Sequence, residues 1–160
     1  MKFAVSAIGL LKSGPETELA SDYQTRMLGI GRTLGVTHLM IREFAESRAA
    51  TDVLRKSEEQ KLLWSTVPEG THTIALDERG KAMNSQEFAL LLKRLAESGT
   101  KQTTFLIGGP DGHAPETRAK ASQIISFGPM TFPHRLLRVM LLEQIYRAVT
   151  ILVNHPYHRA

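Results

Sequence analysis

The chain has 160 residues, 42% of them hydrophobic, and a formal net charge of +4. That length holds one domain with a sizeable core rather than two. The absence of cysteine excludes disulfides, thiolate nucleophiles and thiolate metal sites, and it fits a reducing, cytoplasmic setting. The positive balance favours an anionic partner, although no basic tail or Lys-rich block identifies it.

Residues 3–8 form an apolar run that reads as a first strand. Lys12 and Ser13 follow too soon for a signal peptide. Residues 16–28 have helical composition, and a second strand is expected over 36–44. A helix over 49–67, a strand over 71–76, a helix over 85–98 and a strand over 103–107 follow. A short helix at 115–122, a strand at 124–132 and a final helix over 135–153 complete the pattern. Strands alternating with helices imply right-handed crossovers and a mostly parallel sheet of five to six strands covered on both faces, an α/β class. No repeat or linker-like stretch divides residues 1–160.

The last helix is apolar around most of its circumference, yet Arg138, Glu143 and Arg147 exclude it as a membrane span. Such a helix needs cover on more than one side. A second copy of the chain would supply it, giving a homodimer; burial within one copy is the alternative.

Three segments carry candidate chemistry. Leu106-Ile107-Gly108-Gly109-Pro110-Asp111-Gly112-His113 sits where the fourth strand ends, the place where open α/β sheets take ligands. Its glycines suit either close approach of a ligand to the main chain or an ordinary turn. A side chain at Gly109 is expected to occupy ligand space without disturbing the fold. The segment has neither the spacing nor the Lys-Ser/Thr ending of a Walker loop, which excludes triphosphate hydrolysis of that type. Ser126-Phe127-Gly128-Pro129-Met130-Thr131-Phe132-Pro133-His134 is a second irregular segment, fixed by one glycine and two prolines. With Leu76-Asp77 at the end of the third strand, these loops are suited to a flat, partly apolar ligand such as an adenine nucleoside.

The third segment is Asn154-His155-Pro156-Tyr157-His158-Arg159. It is either a frayed end or a group fitted to phosphate contact, base stacking and proton transfer. No His, Asp or Glu cluster has convincing ligand spacing, so metal-independent chemistry is expected.

Taken in order, Leu106-Ile107-Gly108-Gly109-Pro110-Asp111-Gly112, Thr131-Phe132-Pro133-His134, Arg138-Val139, Glu143-Gln144-Ile145-Tyr146-Arg147-Ala148 and Asn154-His155-Pro156-Tyr157-His158-Arg159 resemble the ribosomal RNA large-subunit methyltransferase H family of SPOUT methyltransferases. The resemblance implies a single domain with a C-terminal trefoil knot, a homodimer, and S-adenosyl-L-methionine as methyl donor. It also implies a pseudouridine of 23S ribosomal RNA, methylated at N3 in the assembled ribosome. By position it assigns Leu76, Gly109, Gly128, Pro129, Met130, Thr131, Phe132 and Pro133 to the cofactor. His134, Arg138 and His155 are assigned to RNA, and Arg147, Tyr157, His158 and Arg159 to catalysis. His158 is the expected base, with Arg159 or Arg147 stabilising the developing anion. For Arg147, an i,i+4 pair with Glu143 is the purely structural alternative. Ala160 stands where the family commonly has Glu or Gly.

Overall fold

A computed structural model describes residues 1–159, so the terminal Ala160 lies outside the described residues. The elements are β1 (Lys2–Ile8), α1 (Pro15–Gly31), β2 (His38–Phe44), α2 (Asp52–Ser65), β3 (His72–Ala82), α3 (Ser85–Glu97), β4 (Gln102–Ile107), α4 (Pro115–Lys120), β5 (Gln123–Ser126) and α5 (His134–Leu152). The five strands form one parallel sheet in the order β2-β1-β4-β3-β5.

Period-two alternation sorts the strand residues between two cores. Phe3, Val5, Ala7, Ile74, Leu76, Phe105 and Ile107 join the larger one with α1, α3 and α5. On the opposite face, Ile8, Ala75 and Leu106 pack on Leu63 of α2. Both faces are covered, so the central strands read as almost continuous apolar runs.

Local chemistry sets the element ends. Thr51 caps α2 by accepting from Leu54 N at 3.2 Å, which starts that helix three residues later than the sequence pattern predicts. Asn84 and Glu87 cap α3 reciprocally, each bond 2.8 Å. Strand β3 runs past its expected end because residues 77–80 bulge out and Lys81 and Ala82 return to pair with Ile125 and Ser126. Gly80 permits that return: a Cβ there would lie 2.5 Å from the carbonyl carbon of Ile125. In contrast, β5 stops at Ser126, well short of the expected 132. Gly128, at φ 117°, and the two prolines turn the chain away from the sheet.

Helix α5 packs between α1 and α3 and buries Val139, Leu141, Leu142, Ile145, Ala148 and Val149. Most of its apolar surface is therefore covered within one copy, which corrects the premise from which a second copy was expected. Leu136 stays 43% exposed. No helix among the described residues is long and apolar enough to cross a membrane. To reach α5 from edge strand β5, the chain travels back to the end of β1. There Arg138 Nη2 donates to the carbonyl of Gly9 at 2.6 Å.

Candidate functional site

Three connections at the carboxyl ends of adjacent strands enclose a cleft of about 680 Å³: the β3 bulge, the loop after β4 and the loop after β5. In the β4 loop, Gly112 N donates to Gly109 O at 2.9 Å, with Gly112 at φ 81°. The Ser126 hydroxyl accepts from Gly128 N at 3.0 Å and donates to Gly128 O at 3.1 Å. Arg118 joins the walls by donating to Asp77 Oδ2 at 3.3 Å and to the carbonyl of His113 at 2.7 Å.

Leu76, Gly109, Gly128, Met130, Thr131, Phe132 and Pro133 all line this cleft. Leu76 is buried, while Met130 is 74% exposed at the rim. Pro129, in the same loop, is exposed. His134 closes one end, its ring so near Gly9 that a Cβ there would lie 2.4 Å from it. Burial pushes the His134 pKa down, opposed by Glu46 at 3.4 Å. His113 is buried in the wall. Its Nε2 donates to Leu106 O at 3.2 Å, which leaves Nδ1 unprotonated and without a partner among the described residues.

Gly109 differs from the expectation. A Cβ on it would lie 2.8 Å from Glu59 Oε2 and 3.0 Å from Ile8 Cγ2. The missing side chain is thus excluded by α2 and β1, on the protein side of the loop. Glu59 is itself buried, accepting from Ser47 N at 3.0 Å through Oε1 while Oε2 has no partner among the described residues. Burial pushes this carboxyl's pKa up. Four residues earlier on the same helix, Arg55 pairs with Asp111. Sequence reasoning missed both. On a charged helix they read as solvated residues, and the only local signal is their i,i+4 spacing.

The polar motif residues separate into two groups. Arg138 is fully enclosed, bonded to Glu43 and to the end of β1, so its guanidinium has no surface for RNA in this protomer. Burial pushes its pKa down, with Glu43 opposing. Arg147 donates to Glu143 Oε1 at 2.8 Å, the structural alternative foreseen for it. Tyr157 docks against Tyr146 with ring centroids 4.6 Å apart and donates to the same Glu143 oxygen at 3.0 Å. Burial pushes its pKa up, so the phenol stays a donor. Both ring nitrogens of His158 are enclosed without partners among the described residues, whereas His155 and Arg159 are exposed.

The tail is folded back on α5 but does not meet the cleft. Tyr146 lies twelve residues along α5 from His134, roughly 18 Å at about 1.5 Å per residue. Among the described residues no group of three or more His, Asp or Glu side chains is placed to hold a metal ion.

A family model described as "Predicted SPOUT methyltransferase" matches residues 1–158. Among curated proteins, the chain is 51% identical over 160 residues to "Ribosomal RNA large subunit methyltransferase H" of Rhodopseudomonas palustris strain HaA2, covering 100% of both chains. It is 49% identical to the protein of that name from Bradyrhizobium diazoefficiens, again with 100% of both covered. The similarly named protein of Methylocella silvestris is 45% identical, with 99% of each chain covered.

Proposed function

The chain belongs to the SPOUT methyltransferase family, and from that premise we propose that it is an S-adenosylmethionine-dependent methyltransferase of large-subunit ribosomal RNA. The full-length identity to proteins bearing that function in their names carries the assignment. The acceptor is N3 of a pseudouridine of 23S ribosomal RNA in assembled ribosomes, a reading supported by the resemblance of the C-terminal motif. A ribosomal acceptor agrees with a cytoplasmic setting.

The cleft fits the cofactor in size and chemistry. It offers main-chain groups of two loops and apolar surface from Leu76, Phe132 and Leu137. A sulfonium methyl donor supplies a carbon attached to a good leaving group, so no metal is required. The chain's own task is to position and exclude water. The loops at 108–112 and 128–133 hold the nucleoside, Met130 and Phe132 cover it, and His134 closes the end toward β1. Uracil-type N3 carries a weakly acidic proton. His158 accepts it, and Arg159 stabilises the anion. Arg147, already committed to Glu143, holds Tyr157 in place.

Cofactor residues and tail lie apart on one protomer, so the complete site needs a second copy whose tail reaches the cleft. This separation supports the homodimer better than the apolarity of α5 does. The enclosed imidazole of His158, unpartnered among the described residues, also favours a tail that rearranges when it meets RNA, because burying unsatisfied nitrogens is unfavourable. The return of the chain from β5 to β1 before α5 begins is the path that a C-terminal trefoil knot requires, and we assign one here.

Incubation of purified ribosomes with protein and methyl-labelled S-adenosylmethionine, followed by mass spectrometry of the RNA, tests the function. Label in a 23S pseudouridine is expected. Label confined to transfer RNA, or cofactor binding without turnover, would overturn it.

A further inference from the structure

Beside the cofactor cleft, on the other side of His134, lies a second and shallower groove of about 330 Å³. It is formed by the segment after β1, the extended segment after β2 and the first turn of α5. Lys12, Arg48 and Arg135 border it, one from each segment. All three side chains are exposed, and none meets a carboxylate within 4.0 Å among the described residues, unlike eight other basic side chains of this protein.

We propose that this groove binds the phosphodiester backbone of the RNA substrate, with Lys12, Arg48 and Arg135 as its phosphate contacts. The proposal rests on the reading that the substrate is RNA, and it adds a binding surface that the motif resemblance does not assign.

Charge and position both support it. Two carboxylates approach the groove. Glu43 is committed to the buried Arg138, and Glu46 lies 3.4 Å from His134. Burial pushes His134 toward its neutral form, opposed by Glu46 and reinforced by Arg138 and Arg135, so His134 adds little charge. Three free cations against one free carboxylate leave the groove net positive. With Glu46 as the single carboxylate among the lining residues against Lys12, Arg48 and Arg135, the groove is short of negative charge, which a bound anion supplies. Groove and cleft share only His134 as a wall. A backbone lying in the groove therefore places a neighbouring base at the cleft mouth, where the methyl donor is held. Phosphate contacts of this kind fix register without reading sequence.

The segment that carries Arg48 is anchored on α2. Ser47 N is held by Glu59, and Ala49 O is held by Arg55 at 3.1 Å. Arg48 is thus presented between two anchored neighbours, not on a loose loop.

The test compares wild type with Lys12→Ala, Arg48→Ala, Arg135→Ala and the triple variant. Binding of a fluorescein-labelled single-stranded RNA is followed by anisotropy across a salt series, and S-adenosylmethionine binding is followed by calorimetry. The triple variant should bind RNA at least about tenfold more weakly at low salt, and the slope of log K against log salt should fall by about 2, near 0.7 for each contact on a single strand. Cofactor affinity should stay at the wild-type value. Wild-type RNA affinity and slope in the triple variant would overturn the proposal, as would wild type showing no salt-dependent RNA binding. Arg48→Ala alone, on an exposed side chain, provides the same readout should the triple variant fold poorly. Failure of wild type to methylate ribosomes would instead count against the proposed reaction, since the salt slope is read without turnover.

Discussion

Arg55 of α2 and Asp111 of the glycine loop meet in a two-pronged ion pair, Nε to Oδ2 at 2.6 Å and Nη2 to Oδ1 at 3.0 Å. The pair raises the Arg55 pKa and lowers that of Asp111, chiefly through its hydrogen bonds. It ties a loop that lines the cleft to a helix on the far face of the sheet. Planar two-point geometry is something lysine does not reproduce.

Arg55→Lys should therefore weaken S-adenosylmethionine binding by about tenfold, or about 1.4 kcal/mol, while changing global stability little, because both side chains are partly exposed. Calorimetry and a thermal melt on the same sample read the two quantities. Unchanged cofactor affinity would mean that the loop holds its shape without the clamp.

Gly109→Val should lower the melting temperature as well as cofactor affinity. The new side chain meets Glu59 and Ile8, and overpacking of this kind costs about 1–3 kcal/mol. Gly109→Ala should show a smaller loss of the same sign. A Gly109→Val protein with a wild-type melt but no cofactor binding would restore the simpler idea that the glycine only makes room for ligand.

Arg138→Ala should destabilise the protein by about 3–5 kcal/mol, because it leaves Glu43 and the carbonyls of Ile8 and Gly9 without this partner. Urea unfolding checks this. If Arg138 were a surface contact for RNA, the midpoint would not move and only RNA binding would weaken.

Glu59 gives a pH prediction with a definite sign. Burial raises its folded-state pKa above the unfolded value, so the folded state binds the proton more tightly and stability falls as pH rises through that interval. Glu59→Gln should therefore melt higher than wild type at pH 7, with the difference shrinking below the ordinary glutamate value of about 4.3. A constant difference across pH, or a less stable variant at pH 7, would show that Glu59 contributes as a carboxylate.

Removing residues 157–160 should spare cofactor affinity and abolish methylation. The shared-site reading makes a sharper demand. A mixed dimer of this truncated copy and a copy carrying Thr131→Trp, which fills the cleft from its rim, should regain activity, because one intact cleft then faces one intact tail. Co-expression with two different tags isolates the mixed species. An inactive mixed dimer would place cleft and tail chemistry in the same copy.

What the sequence determined by itself is local in origin. Alternating apolar strands and helix-forming segments placed all five strands and the α/β class, since period-two patterning and helix propensity are written in neighbouring residues. The glycine-proline loops and the dense polar tail were legible for the same reason, and so was the Arg147 pair with Glu143, one turn away on a single helix. Tertiary structure alone decided which residues meet across long separations. Nothing near Arg138 in the chain announces Gly9 or Glu43, and nothing near Gly109 announces Glu59; sheet order and the return of the chain from β5 to β1 bring them together. Strand β5 ends at Ser126 although apolar residues continue past it, because those residues line the cleft instead of extending the sheet. The cover of α5 comes from α1 and α3, because an apolar circumference states how much surface needs burying, while only the packed fold decides what buries it.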